Sequence, residues 1–254
     1  MKTVRILLLL FLPVLQTLVL KIGLAFPSHY LAIAFGGVIL LDALLTLFFK
    51  KNIQRMKIVW YALPALLLYC SAASSLFIVE ESYLRNTIIA SNALFQWLYL
   101  INLYFLLYKQ EQYQVRSYWH ITMVLHVISF LNLSILLFGL IYYVEYKLSF
   151  LIIPFAIVTA LFFVQQLVIH ECDIRQFWRF TAVQTLIIVE SAFAIHWFPT
   201  HFIPKAFFLT IPFFLINQIG YSTLKREQTV RSVLSSVAIT LAMLLLVLLT
   251  SRWR

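Results

Sequence analysis

Two acidic side chains, Asp42 and Glu190, fall inside long apolar stretches of the chain. A charge at the centre of a bilayer costs from about 3 to more than 10 kcal/mol, so such a residue is normally paired, neutralised or in contact with a polar cavity. The chemistry open to this pair is proton coupling or the binding of a polar substrate. The alternative is structural, with two neutral acids hydrogen-bonded to helix backbones or amides.

The two acids are predicted to lie at similar depths. Asp42 falls about three residues to the cytoplasmic side of its span's centre and Glu190 about one residue to the outer side, which is a difference of roughly 6 Å. If their helices are neighbours, the acids can share one internal cavity. No Lys or Arg is predicted at that depth, and burial disfavours the charged form, so we expect at least one acid to be neutral.

Neutral polar residues could complete such a cavity. Asn92 and Gln96 share a face of one predicted helix, and His126 lies with Thr122 and Ser129 on a face of the next. Hydrogen bonds between helices in lipid contribute only about 0.6–2 kcal/mol each, and the structural alternative is that these residues only hold helices together. The intramembrane polar candidates are Asp42, Glu190, His126, Asn92, Gln96, Gln184 and Asn217.

The composition predicts the structural elements that must position these residues. Of 254 residues, 63% are hydrophobic and 11% are charged, whereas a soluble domain carries about 25% charged residues. Apolar runs of about 20 residues, long enough to cross a bilayer, follow one another along the chain. They do not alternate as strands of a barrel would, so we predict an all-α polytopic transmembrane bundle. It forms a single transmembrane domain over residues 1–254. The nine spans are predicted at about 4–24, 29–49, 58–79, 87–108, 121–143, 148–169, 180–198, 206–224 and 232–250.

The distribution of positive charge predicts the orientation. With the N-terminus in the cytoplasm, the cytoplasmic segments hold 13 of the 19 Lys and Arg residues and the outer segments hold 6. This is the bias that the positive-inside rule describes, and it places the C-terminus outside. The net charge of +10 therefore reflects topology, and we expect no nucleic-acid partner. Trp60, Trp119 and Trp178 fall near predicted cytoplasmic boundaries, as interface anchors do.

The first span has a second interpretation. Lys2 and Arg5 before an apolar run resemble a signal peptide, but no clear cleavage site follows, so we favour an uncleaved span. Small residues at helical spacing predict close helix packing, as at Ala32 with Gly36 and in the stretch from Cys70 to Ser75.

Several classes of chemistry lack their motifs. The chain has no zinc-protease H-E-x-x-H, no P-loop, no dinucleotide-binding fingerprint and no G-x-S-x-G nucleophile elbow. The His and acidic residues near the predicted outer boundaries have no diagnostic spacing for a metal. We therefore expect neither a metal nor a cofactor.

The last third of the chain carries a resemblance. The stretch Val183 to Pro199 reads VQTLIIVESAFAIHWFP, a span with Tyr221 and a basic loop follow, and a last helix closes near Trp253. Over about the C-terminal two thirds, the chain resembles a family of small multi-spanning bacterial membrane proteins known only as a domain of unknown function. The resemblance implies the fold and a location in the bacterial cytoplasmic membrane, but no activity.

Three functions remain open. The first is transport or lipid handling through an internal polar cavity, with a lipid or small hydrophobic substrate. The second is a non-catalytic scaffold or complex subunit that binds other membrane proteins. The third is an intramembrane enzyme acting on a lipid, so whether the chain is an enzyme is left open. In each case we expect the lipid bilayer as the immediate partner.

Overall fold

The computed structural model describes residues 2–48, 55–108, 115–169 and 174–225, together with most positions from 237 to 249. Throughout these ranges the chain is helical or in short connections, and they contain no strand. The helices are α1 (Lys2–Ala25), α2 (Tyr30–Phe48), α3 (Arg55–Ile78), α4 (Ser82–Tyr108), α5 (Val115–Tyr143), α6 (Leu148–Ile169), α7 (Ile174–His196) and α8 (Phe202–Lys225). A 3-10 turn over Pro27–His29 joins α1 to α2.

Seven of these helices, α2 to α8, are long and apolar enough to cross a membrane. In α1 the apolar part is Leu9–Ala25. About half of the predicted span at 232–250 lies outside the described residues, and the described positions from 237 to 249 are helical. The chain is thus a multi-pass integral membrane protein with an all-α fold. The total of nine spans and their orientation stay predictions.

Several hydroxyl side chains inside the spans are satisfied within their own helices. Thr122, Thr159 and Thr210 each donate to the carbonyl four residues earlier, at 2.8 Å. This local bond lets a hydroxyl lie in an apolar environment without a partner from another helix. Proline is tolerated within α1, α3, α6 and α8 because neighbouring groups in a membrane bundle satisfy the carbonyl that it leaves free.

The chain divides into two compact units, Met1–Ser129 and Phe130–Arg254. We call them the N-terminal and C-terminal units. The single transmembrane domain over residues 1–254 stays a prediction. The boundary falls within α5, so each unit contains one half of that helix.

In the N-terminal unit, four helices form a closed ring of contacts. α1 packs against α2 and α4, and α3 packs against the same two helices. The predicted small-residue surface on α3 is buried in this ring, with Ala72 and Ser75 fully covered. The prediction for Ala32 and Gly36 was wrong, because both are exposed and a Cβ at Gly36 would meet nothing within 4 Å.

In the C-terminal unit, α7 packs against α6 and α8. An aromatic core fills this unit, and Phe130 stacks face to face on Phe213 with ring centroids 3.9 Å apart. Phe155 and Phe162 contact Phe130 at tilted or edge geometry. Packing between these large aromatic side chains positions the helices that carry the polar residues described below.

Candidate functional site

The interior of the N-terminal unit holds several polar side chains. Asn92 and Gln96 on α4 are fully buried, as is the Tyr69 side chain on α3, while Gln16 on α1 is 4% exposed. We call these four residues the polar layer. Ser129 on α5 is fully buried as well, at the last position of the unit.

Helical spacing explains why the sequence buries them. On α4 the residues Ile88, Asn92 and Gln96 recur every four positions, so they share the face that packs against other helices. On α1 the buried residues Leu12, Gln16 and Leu20 follow the same spacing. Because the apolar residues of each stripe pack into the interior, the amide side chains on the same face are buried with them.

Three members of the polar layer lie at one depth. Gln16 is nine residues before the end of α1, Tyr69 is nine before the end of α3, and Asn92 is ten after the start of α4. Since consecutive spans cross in opposite directions, these ends lie on the same, predicted outer, side. The three side chains are therefore about 14–15 Å below it, near the middle of the bilayer.

The polar atoms of this layer have no hydrogen-bond partner among the described residues. This applies to both amide atoms of Gln16, Asn92 and Gln96 and to the Tyr69 hydroxyl, seven atoms in all. A buried polar group without a partner costs about 1–3 kcal/mol. Such groups are normally paired, so these four side chains are the candidate place for a polar partner in this unit.

A glycine makes room for one of these atoms. A Cβ at Gly37 of α2 would overlap the Tyr69 hydroxyl and lie 2.7 Å from its Cζ atom. The absence of a side chain at Gly37 therefore lets the phenol reach across to α2. With this contact, all four helices of the ring contribute to the polar layer.

Further along the same face of α4, toward its C-terminal end, Tyr99 pairs with Tyr118 of α5. The Tyr99 hydroxyl donates to the Tyr61 carbonyl at 2.5 Å and lies 3.0 Å from the Tyr118 hydroxyl. Because the Tyr99 proton is used on the carbonyl, Tyr118 is the donor in the second bond. These hydroxyls are satisfied, in contrast to the polar layer.

His126 and Thr122 on α5 are both buried, at 2% and 3% exposure. The predicted shared face of Thr122, His126 and Ser129 therefore points into the protein. Thr122 bonds to its own helix at the Tyr118 carbonyl, and His126 has an interaction partner of its own.

In the C-terminal unit, glutamine side chains join three helices. Gln166 of α6 donates to the Asn217 carbonyl at 3.0 Å, and Gln184 of α7 donates to the Ile216 carbonyl at 3.4 Å. Two successive carbonyls of α8 thus accept bonds from two different helices. Gln184 and Asn217, both candidates from the sequence, are brought together here, and Gln184 acts as a link between helices.

The two acids are not enclosed. Asp42 and Glu190 are both exposed on the surfaces of their units. Neither side chain therefore lies in an internal cavity in this structure, and the interior polar groups near them in sequence are neutral. The reason is rotational: Leu41 and Leu45 take the buried face of α2, and Ile188 and Ala192 take that of α7.

An apolar groove runs between α6 and α7 on the surface of the C-terminal unit, with a volume of about 520 Å³. We call it the α6–α7 groove. Its lining residues are Ala156, Ala160, Val164, Trp178, Thr181, Ala182, Thr185, Leu186 and Val189.

Basic side chains close two helix ends on the predicted outer side. Arg85 Nε donates to the Val79 carbonyl just after α3, and Lys205 Nζ donates to the His196 carbonyl at the end of α7, at 2.8 Å. A cation at a helix C-terminus is favourable because the carbonyls there carry partial negative charge. Within the described part of the chain, no three His, Cys, Asp or Glu residues form a group that could hold a metal.

Sequence reasoning missed Gln16, Tyr69 and Gln166. For Gln16 a signal was present, because this amide recurs with Leu12 and Leu20 at helical spacing within an apolar run. For Tyr69 the signal was weaker, since tyrosine is common in spans and only the position of Gly37 explains its burial.

No family model matches the chain, and no curated protein or solved structure matches it either. The resemblance to a family of unknown function therefore stays a prediction.

Proposed function

We propose that this chain is a membrane transport protein that takes a small, uncharged, polar solute into the polar layer of its N-terminal unit. The observation that carries the proposal is the set of seven unpartnered, buried polar atoms on Gln16, Tyr69, Asn92 and Gln96. A solute with hydroxyl or amide groups would supply the hydrogen bonds that these atoms lack.

The charge of the interior supports an uncharged solute. Among the residues whose burial the structure describes, the buried polar side chains are Gln, Asn, Ser, Thr and His, with no acid, Lys or Arg. A charged solute held away from water needs an opposite charge. Amide side chains offer both donors and acceptors, which suits a solute that carries both.

The experiment is solute permeation in proteoliposomes, followed by light scattering as vesicles shrink and swell. The panel is water, urea, glycerol and a larger polyol. We expect wild-type protein to raise the permeability of at least one solute above that of empty vesicles. Asn92→Leu and Gln96→Leu should abolish the increase, because leucine fills a similar volume without polar atoms.

The control is Gln166→Leu, which removes a buried amide of the C-terminal unit that already has a partner. It should leave permeation unchanged in the fraction of protein that remains folded. Equal permeability of wild-type and empty vesicles for every solute would contradict the proposal.

The exposure of Asp42 and Glu190 favours a second candidate, a subunit of a membrane complex. An acid on the lipid-facing surface of a span is costly unless a neighbouring protein provides a partner. A partner helix with Lys or Arg at matching depth would do so. Native mass spectrometry in lipid tests this candidate, because a stoichiometric protein partner lost in Asp42→Asn or Glu190→Gln would support it.

A further inference from the structure

We infer that the α6–α7 groove is a binding site for one anionic phospholipid, with its acyl chain in the groove and its phosphate beside Arg179. The inference is independent of the polar layer, since every residue that carries it belongs to the C-terminal unit.

The position of the groove limits what can fill it. Its lining is almost entirely apolar, and the part formed by Ala182, Leu186 and Val189 belongs to a membrane span. Water has too few polar partners on such a surface to remain there. In a bilayer the occupant must therefore be a lipid chain or another helix.

The length of the groove matches one leaflet. From Trp178 to Val189 it follows eleven residues of α7, or about 16 Å. This is roughly half of the 30 Å hydrocarbon thickness. The groove therefore extends from one interface to about the bilayer midplane, as one acyl chain does, whereas a partner helix would continue across the membrane.

The interface end of the groove carries a positive charge. The Arg179 guanidinium lies over the Trp178 ring, 5.7 Å from its centroid, and both side chains are exposed. Trp178 lines the groove, so the guanidinium is held at the groove's end, at the level where lipid headgroups lie. A guanidinium there is complementary to a lipid phosphate. In the predicted topology this is the cytoplasmic leaflet, whose anionic lipids attract basic residues.

One turn deeper, a buried hydroxyl without a partner lies beside the groove. Thr181 is 6% exposed and lines the groove, and its Oγ1 has no hydrogen-bond partner among the described residues. Thr185, one turn further, donates its own hydroxyl to the Thr181 carbonyl at 2.9 Å. A positive charge, an unpartnered hydroxyl just beneath the surface and an apolar surface thus follow in the order of the phosphate, ester carbonyl and acyl chain of a phospholipid. A small rotation of Thr181 about χ1 would bring its hydroxyl to the ester.

The test is native mass spectrometry of the full chain released from vesicles of equal phosphatidylglycerol and phosphatidylcholine. We expect wild-type protein to retain one phosphatidylglycerol. Arg179→Gln should lower the preference for phosphatidylglycerol about fivefold, which is the contribution of one basic residue near a charged surface. Lys147→Gln, an exposed cation of the same unit outside the groove, should not change it.

Two further pairs separate a lipid from other occupants. Ala182→Leu fills the groove and should remove the bound lipid, whereas Ala194→Leu, exposed on α7 outside the groove lining, should retain it. Thr181→Val should weaken lipid retention and Thr185→Val should not. Equal retention in Ala182→Leu and Ala194→Leu would overturn the inference, as would a protein partner or dimer that Ala182→Leu removes.

Discussion

The Tyr69 hydroxyl occupies the space that a side chain at Gly37 would fill. The preceding residue, Gly36, has open space around its Cα atom. Two adjacent glycines on α2 therefore face opposite environments, and only one of them is required by packing.

Alanine at these two positions should have opposite effects. Gly37→Ala must displace Tyr69 and should lower the unfolding free energy by about 1–3 kcal/mol, as overpacking does. Gly36→Ala should raise it by up to about 1 kcal/mol, because alanine favours the helix over glycine. Unfolding in mixed detergent micelles measures both changes. Tyr69→Phe should partly rescue Gly37→Ala, and equal destabilisation by the two variants would contradict this account.

Replacing each of two buried glutamines by leucine should distinguish a residue that binds a ligand from a residue that links two helices. Gln166→Leu removes the bond to the Asn217 carbonyl and should cost roughly 0.5–2 kcal/mol. Gln96→Leu removes only unpartnered atoms, so the stability of the protein should stay the same or increase. Thermal unfolding in a neutral detergent, without added solute, compares them. A large loss in Gln96→Leu would indicate that the polar layer is structural.

Gly220 and Gln184 should be energetically coupled. A Cβ at Gly220 would lie 2.8 Å from Gln184 Nε2, so Gly220→Ala must push the amide from the Ile216 carbonyl. The loss offsets the gain in helix propensity of about 0.5–1 kcal/mol. When Gln184→Ala is already present, Gly220→Ala should show only the gain in helix propensity. A double-mutant cycle should therefore give a coupling of about 0.5–2 kcal/mol, and additive effects would show that the contact has no influence.

Neutral replacements of the exposed acids test whether these side chains serve a mechanism. We expect Asp42→Asn together with Glu190→Gln to leave solute permeation in proteoliposomes unchanged, because neither acid belongs to the polar layer. Permeation measured across a range of pH gives the comparison. A loss of permeation in well-folded double-variant protein would place the acids in the transport mechanism.

Lys205 should stabilise the end of α7. Lys205→Met removes the bond to the His196 carbonyl and should lower the unfolding free energy by about 0.3–1 kcal/mol. Lys147→Met, at an exposed site before α6, is the matched control. Hydrogen exchange at the last turn of α7 should rise in the first variant alone. Equal exchange in both would mean that the cap does not order this turn.

Much of the helical framework was predictable, because the membrane requires long apolar helices and their lengths are visible in the sequence. The predicted span 148–169 coincides with α6. By contrast, α4 and α5 begin five or six residues before the predicted spans, at Ser82 and Val115. Apolar length indicates where the hydrocarbon begins but not where a helix starts.

The faces of the helices were harder to predict. Asp42 and Glu190 were candidates for an internal cavity because of their charge. Charge does not determine which way a helix is rotated in the bundle. That rotation depends on the apolar stripe, which on α2 leaves Asp42 exposed. The link from Gln184 to the Ile216 carbonyl depends on a backbone atom of another helix, and a backbone atom has no signature in the sequence.

The exposed position of Asp42 has a consequence for biogenesis. A translocon that inserts α2 meets a cost of about 2.5–3.5 kcal/mol for the acid. The same helix has eleven Leu, Ile, Phe and Val residues, each contributing roughly 0.3–0.6 kcal/mol in the opposite direction. The apolar residues offset most or all of the cost of the acid, so we expect this segment to enter the bilayer without help from a neighbouring helix. In α7, Arg175, Arg179, Gln184 and Glu190 weaken the same balance, so its insertion should depend on the neighbouring helix whose carbonyl receives Gln184.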